Sequence, residues 1–398
     1  MKYLSSHIIF VSVLALLSWG CEGFFGKKTD TEFLDVPQYN DRTVAYVPIQ
    51  PVLQGFGNPI DIIAGWDELM YVVDSASSEI ISLDQAGREL ARFKVPGLQA
   101  IAQDRSLDLL AAGTKDTTIS GTKYSLPAIY RIDQNKSGVY GLKNAKIVRT
   151  SVHPFCFNPA STPTLSDQNV VFQSIAVLAD NKYYVARHYK GSNTASGNQA
   201  DAVVIFNTKD AFESPVFVNT SLGLLGDYFV APKSIVSYCQ PPQSPNVNTR
   251  GDFLFCSPAD YVVKVQGISK KESDNGVSYE IAQFSGIDTS KADRFLYTPY
   301  RFSNPSDVTI AGDGTGYIFV TDASKDSVYQ FNGKGYEGIN PPPGSTSSKA
   351  VYASFGGTGE GLLQFRRPRA IAYANQILYV ADAGNQRILR FKLTTDFN

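Results

Sequence analysis

The sequence predicts an all-β repeat fold, and three observations carry that prediction. A strand, a polar turn and a second strand recur from Met70-Tyr-Val-Val-Asp74 to Leu83, from Ile318-Phe-Val-Thr-Asp322 to Phe331, and from Leu378-Tyr-Val-Ala-Asp382 to Phe391. In each copy a β-branched residue sits six positions after the Asp (Ile80, Val328, Ile388) and an apolar residue nine after it. Each copy also follows a proline-led strand: Pro59-Ile-Asp-Ile62, Pro305-Ser-Asp-Val308 and Pro368-Arg-Ala-Ile371. The composition suits strands too, with 22 Tyr and 24 Phe against 18% charged residues, and no sustained helical period. One unit recurring along a chain marks a repeat architecture, whose copies stack to bury a core that none buries alone.

The N-terminus reads as an address. Lys2 precedes an apolar run over residues 8–17, and Ser18-Trp-Gly-Cys21 follows. A positive start, a short apolar core and a small residue before the cut describe a secretory signal, residues 1–20. The run is too short to span a bilayer. Gly20-Cys21 resembles the lipobox of bacterial lipoproteins, although that family prefers Leu and a small residue where Ser18 and Trp19 stand. The resemblance implies acylation of Cys21, palmitate included, and a protein held to the membrane by its N-terminal lipid. An ordinary cleaved signal with an incidental cysteine is the alternative. Glu22 after the cysteine, by resemblance to lipoprotein sorting rules, implies the outer membrane. No run of acids follows Cys21 to resemble a surface-export signal, so the periplasmic face is expected over the cell surface. Residues 21–42 are polar and aperiodic and read as a flexible linker.

Residues 43–398 form the predicted body. Three weaker units keep the rhythm between the clear copies. The second runs through Leu98-Gln-Ala-Ile101, Leu107-Asp-Leu-Leu-Ala111 and Ala128-Ile-Tyr-Arg-Ile132. The third runs through Phe172-Gln-Ser-Ile-Ala-Val177, Lys182-Tyr-Tyr-Val-Ala186 and Ala202-Val-Val-Ile-Phe206. The fourth has Pro232-Lys-Ser-Ile-Val236, Phe253-Leu-Phe-Cys256 and Tyr261-Val-Val-Lys-Val265, which brings the count to six.

These units resemble NHL repeats, whose pattern is a proline-led strand, a strand ending in Tyr-Val-Ala-Asp, and a third strand after an Asn-x-Arg-Ile turn. The unit from Pro368 to Phe391 matches down to Asn385-Gln-Arg387-Ile388; the first and fifth match well, and the middle three in apolar rhythm alone. The resemblance covers roughly residues 46–393 and implies a six-bladed β-propeller of four-stranded antiparallel blades. The last unit supplies three strands before the chain ends, so Thr43-Val-Ala-Tyr-Val-Pro-Ile49 is expected to pair as the outer strand of the last blade. Pro48 suits such an edge, where a missing N–H costs little.

Several function classes recede. A net charge of −1 offers no basic face for nucleic acid. Beyond Cys21, the thiols Cys156, Cys239 and Cys256 allow at most one internal disulfide and match no zinc spacing. Cys239 and Cys256 fall at opposite ends of a hairpin register and are not expected to pair. The repeated Asp74, Asp322 and Asp382 are expected to accept hydrogen bonds from the turns that follow them, a structural role preferred over metal ligation. Ala311-Gly-Asp-Gly-Thr-Gly316 precedes a strand instead of a helix and reads as a hairpin turn, not a phosphate loop. Of three histidines, His7 leaves with the signal, and His153 and His188 cannot by themselves build the histidine-rich zinc site expected of an NHL-type lyase. No G-x-S-x-G elbow appears. Paired carboxylates in a propeller stay open, though no local constellation points to them. No metal, cofactor or catalytic residue is therefore assigned, and an enzyme is not required.

Insertions cluster at residues 112–127, 151–170, 188–201, 219–231 and 286–304, all on one face of a propeller, with 240–252 and 333–350 on the other. The crowded loops hold His153, His188, Tyr189, Arg294 and Tyr297, which with Arg187 at a strand end are the candidate ligand-binding residues. Aromatics and Arg are enriched where surfaces bind partners. The same side chains can instead fold over their own blades as satellite cores. The expected function is a binding or scaffold propeller meeting an envelope protein, peptide or glycan through this face. An envelope hydrolase or lyase working in the central channel is the alternative, and self-association is a third.

Overall fold

A computed structural model describes residues 44–191, 197–219, 228–242, 251–274, 276–282, 284 and 286–397. The secretory signal, Cys21 and the linker lie outside the described residues. Residues 41–341 and 347–398 pack as one compact unit. It is a six-bladed β-propeller.

Strand β1 (Tyr46–Leu53) leads into blade one: β2 (Pro59–Ala64), β3 (Met70–Asp74), β4 (Glu79–Leu83) and β5 (Glu89–Lys94). Blade two holds β6 (Ala100–Gln103), β7 (Leu109–Ile119), β8 (Thr122–Asp133) and β9 (Lys146–Val152). Blade three holds β10 (Val170–Val177), β11 (Tyr183–Tyr189), β12 (Ala202–Phe206) and β13 (Phe212–Pro215). A short strand β14 (Val218–Asn219) then runs parallel to the outer edge of blade four, which is β15 (Ser234–Ser237), β16 (Phe253–Cys256), β17 (Val265–Ser273) and β18 (Gly276–Ile281). Blade five holds β19 (Pro305–Ile310), β20 (Ile318–Asp322), β21 (Ser327–Phe331) and β22 (Phe355–Gly356). Blade six holds β23 (Pro368–Ala374), β24 (Ile377–Asp382) and β25 (Arg387–Leu393).

The expected closure is present: β1 pairs antiparallel with β25, from Tyr46 opposite Leu393 to Leu53 opposite Ile388. Tyr46 also leaves its own blade. Its ring lies 5.3 Å from Phe355 and 6.4 Å from Phe319, both on blade five. The clasp thus satisfies the open edge of β25 and buries an aromatic between two blades, which removes an edge open to another chain.

Period-two alternation decides how the blades pack. Along β3, Val72 points to one neighbour and joins Ala370 and Tyr379 of blade six, while Tyr71 and Val73 point to the other and join Ile101 and Leu109 of blade two. Both faces are covered, so the strand is apolar up to Asp74. The same holds around the ring, where each of six apolar clusters fills one gap between neighbouring blades.

Asp74, Asp322 and Asp382 are almost wholly buried. Asp74 accepts hydrogen bonds from Ala76 N–H in its own turn and from Gly57 and Asn58 N–H in the approach to β2. Asp322 does the same with Ser324, Lys325, Ser303 and Asn304 N–H. Asp382 takes Arg366 N–H and the side chains of Asn385 and Arg387. The Gly-rich segment after β19 is a hairpin turn, closed by Ala311 N–H donating to Tyr317 O. Gly312 is needed there: a Cβ would stand 2.2 Å from the Gln240 carbonyl oxygen.

Two sequence expectations need correction. Residues 112–127 are not a loop, because β7 and β8 continue through them as a two-stranded ribbon from Ala112↔Ile129 to Ile119↔Thr122. Thr and Tyr in this stretch favour extended backbone, and the turn falls at Ser120 and Gly121, both with positive φ. The third strand of blade four is Val265–Ser273, not 261–265. Val262 is 51% exposed, so the Val-Val pair that suggested a strand lies in a surface bend, whereas the true strand has a polar outer half.

Candidate functional site

The motif that opens each unit, proline-led in four of the six, becomes the innermost strand of its blade, and its second and third positions line the channel. In blades one, three, five and six the pairing register slips across these positions, as between Pro59 and Asp61 or Pro305 and Asp307. Such a β-bulge re-aims side chains away from plain alternation. The third positions, Asp61, Ala100, Ser174, Ser234, Asp307 and Ala370, form one ring. The second positions, Ile60, Gln99, Gln173, Lys233, Ser306 and Arg369, form another, closer to the loop-rich face because every inner strand runs away from it.

The ring of third positions is a hydrogen-bonded girdle. Asp61 accepts Ile101 N–H of the next blade at 2.9 Å, and Ser174 Oγ accepts Ile235 N–H at 3.2 Å. Ser234 Oγ accepts Val308 N–H at 3.4 Å and donates to Asp307 Oδ1 at 2.5 Å; Asp307 Oδ2 accepts Ile371 N–H at 2.7 Å. Four of the six blade junctions are stitched this way, and Ala100 and Ala370 leave the other two without a stitch.

Burial pushes Asp61 up to about 6, against the backbone hydrogen bonds and Lys233 that hold it down. Asp307 is pushed up to about 7, by burial first and then by the Asp61 charge. Two buried carboxylates that feel one another favour a shared proton. In the outer ring, burial and then the Arg369 charge push the Lys233 ammonium down to about 8, while its Nζ donates to Gln173 Oε1 at 2.8 Å. Burial, then Arg367, lowers Arg369, whose Nε is buried with no hydrogen-bond partner among the described residues.

The channel is narrow at the girdle. Below it, toward Trp66 and Gln240, lies a cavity of about 70 Å³; above it, between Lys233 and Arg369, one of about 20 Å³. Such spaces admit a few waters and about one or two waters respectively. Among the described residues no three His, Cys, Asp or Glu side chains converge as metal ligands do.

The six candidate residues from the sequence do not form one site. His153, Arg187, His188 and Tyr189 come together above blade three. The buried His153 ring faces Asp167 Oδ1 at 2.8 Å; burial lowers its pKa, Asp167 opposing and Arg187 assisting. The Arg187 guanidinium donates to the Ala200 and Gly197 carbonyls and lies 5.3 Å from the Phe157 ring centre. His188 meets Asp201 at 2.9 Å, and Tyr189 N–H donates to the same carboxylate. Arg187 and Tyr228 also line a cavity of about 270 Å³ against β12 and β13. Arg294 and Tyr297 stand elsewhere. The exposed Arg294 covers Tyr352, and the Tyr297 hydroxyl donates to Ala282 O while accepting Gly267 N–H. Most of these groups are engaged in fixing loops to blades. Cys156, Cys239 and Cys256 are in no disulfide; Cys256 pairs with Ser234 across β15 and β16, while Cys239 lies beyond Ser237.

Sequence reasoning passed over Asp61, Asp307, Lys233 and Arg369. Their signal was a polar residue at the second or third position of an otherwise apolar inner strand.

No protein-family model matches the chain, and no curated protein matches it. Solved structures share the fold. A PQQ-bound aldose sugar dehydrogenase from Streptomyces coelicolor is 13% identical, with a TM-score of 0.52 over 88% of this chain and 98% of that one. An auxiliary nutrient binding protein from Bacteroides ovatus is 11% identical, with a TM-score of 0.51 over 90% of this chain and 75% of that one. A luciferin-regenerating enzyme is 9% identical, with a TM-score of 0.50 over 87% and 95%. At such identities the likeness concerns fold, and a propeller is consistent with either binding or catalysis.

Proposed function

We propose that the protein is an NHL-type binding propeller of the cell envelope, tethered through Cys21 to the outer membrane and meeting its ligand at the loop-rich face. The observation that carries this reading is the girdle. Asp61 and Asp307, the half-buried carboxyl pair of the channel, are used to join blades, and the space beside them admits only a few waters. A substrate of ordinary size cannot lie between them, so recognition falls to the channel mouth and the loops around it. The partner is an envelope protein, peptide or glycan.

The test is a mild-detergent purification of the tagged full chain from its native membranes, with mass spectrometry of what co-elutes. A stoichiometric partner is expected, lost when residues 188–201 and 286–304 are shortened. Cys21→Ser is expected to move the chain to the soluble fraction. Elution of the chain alone, with no bound protein, peptide or glycan, would overturn the reading.

A second reading is an envelope hydrolase or lyase acting in the channel. It is favoured by the raised Asp61 and Asp307 pair, because carboxyls that titrate near neutrality in a cleft suit general acid–base work. Envelope extract incubated with the wild type and with Asp307→Asn separates the two readings. A product formed by the first and not the second favours the enzyme; bound material released unchanged favours the binding module.

A further inference from the structure

The two cations above the girdle have no structural employment to match that of the carboxylates within it. Lys233 makes one hydrogen bond, to a neutral amide, and Arg369 keeps a buried Nε without a partner among the described residues. They stand in the same small cavity with Gln99 and Gln173, and their like charges disfavour one another. Burying a cation without an anion is costly, and arginine offers a planar fork of donors whose natural complement is an oxyanion.

From this arrangement we propose that the channel mouth is a carboxylate-binding site, in which Lys233 and Arg369 hold the acid group of a small ligand and Gln99 and Gln173 flank it. The inference rests on the binding reading and names the chemistry of the ligand.

Three further observations support it. First, Asp61 and Asp307 offset the pair of cations only in part, although Asp307 acts favourably on each cation. Both are committed to backbone N–H groups across blade junctions, and with their pKa values raised toward neutrality they carry less than two full negative charges at pH 7. Second, the positive field continues outward. Exposed Lys190 acts on Lys233, and exposed Arg367 acts on Arg369, so an approaching anion meets cations from the loop-rich face down to the girdle. Such focusing raises the local concentration of an anion and its rate of entry. Third, the space that Lys233 and Arg369 line is small, so only the head of an anion enters it, and a planar carboxylate is a compact head that faces the arginine fork with two oxygens. The body of the ligand then stays above, among the loops.

The probe is sodium acetate, compared with sodium phosphate and sodium chloride at equal ionic strength and pH 7, on the full chain. Acetate is expected to raise the melting temperature saturably, by about 2 °C, over chloride, with phosphate close to chloride. The Lys233→Met, Arg369→Met double variant is expected to melt no lower than wild type in chloride, since it removes two half-buried cations of like charge, and to lose the acetate response. In the ¹⁵N-lysine spectrum of the wild type, acetate is expected to raise the Lys233 pKa above about 8 and leave exposed lysines unmoved. That readout stands even where the double variant does not fold.

An acetate response that survives in a folded double variant would overturn the site, and so would an unmoved Lys233 pKa. Equal saturation by phosphate would overturn the carboxylate assignment. A partner recovered from membranes with loop-dependent binding but no acetate response would sink this inference alone. The converse result would keep the site and remove the larger partner.

Discussion

At the residue scale, polar side chains placed where the chain is otherwise apolar tie backbone to backbone. Asp307 does this under a strong electrostatic load, and the load has a measurable sign. Its carboxyl is pushed from the ordinary aspartate range to about 7 by burial and by Asp61, itself raised to about 6. Both groups hold protons more firmly folded than unfolded. Between about pH 4 and pH 7 the folded state therefore binds more protons, and their contribution to stability falls as pH rises through that window. His153 acts oppositely, since its lowered pKa gives stability that is lost on acidification, so the comparison must be made against a variant. Asp307→Asn turns an NH2 toward one of the two N–H groups, Val308 or Ile371, that donate to the carboxyl, and is expected to be less stable at pH 4. From pH 4 to pH 7, however, its unfolding free energy is expected to lose less than that of wild type, by on the order of 2–4 kcal/mol. Urea unfolding at both pH values reads the difference, and parallel slopes would show that Asp307 is not the titrating group.

At the element scale, the strands declared themselves through apolar rhythm because both of their faces are buried. Met70-Tyr-Val-Val-Asp74 and Ile318-Phe-Val-Thr-Asp322 could be placed from sequence for that reason. Where one face meets water the signal failed. The true third strand of blade four, Val265–Ser273, has a polar outer half, and the ribbon of β7 and β8 alternates Thr, Lys and Asp. The site was less legible still. Lys233 and Arg369 stand in plain sight in Pro232-Lys-Ser and Pro368-Arg-Ala, but only ring closure, with a bulge at Arg369, brings them into one cavity. The loop aromatics carry two meanings in sequence, binding or satellite core; His153 and Phe157 pack against Phe172 and Phe212.

The clasp gives an element-scale prediction. Tyr46 is 5% exposed on a strand whose other residues are largely open, and its contacts cross to blade five. Tyr46→Ala removes an aromatic from an inter-blade core and weakens the seat of β1 at once. A loss of about 3–5 kcal/mol in urea unfolding is expected, in the range for a buried aromatic cut to Ala. Val47→Ala, at a 39% exposed neighbour, is the control and is expected to change little.

At the scale of the whole molecule, a closed ring has no end blade from which to fray, and its weakest places must be sought radially. Inner and middle strands are mostly buried, wholly so in β3, β6, β16 and β20, whereas the outer strands β5, β9 and β18 are mostly exposed. Local opening free energies follow buried contact, so amide exchange is expected to be slow near the channel and fast at the rim. Strand β1 is the exception that tests how the ring is held. By position it is an outer strand, yet it is anchored at both ends by buried Tyr46 and Leu53, the latter in the core shared by blades six and one. Its opening would expose the edge of β25 and loosen the contacts of three blades together. Peptides covering residues 46–53 are therefore expected to exchange at least tenfold more slowly than peptides from β5 and β9, in hydrogen exchange followed by mass spectrometry (a difference of about 1.4 kcal/mol in opening free energy). Exchange of β1 at the rate of β5 would mean that the clasp covers an edge without holding the ring, and that closure rests on the girdle and the inter-blade cores alone.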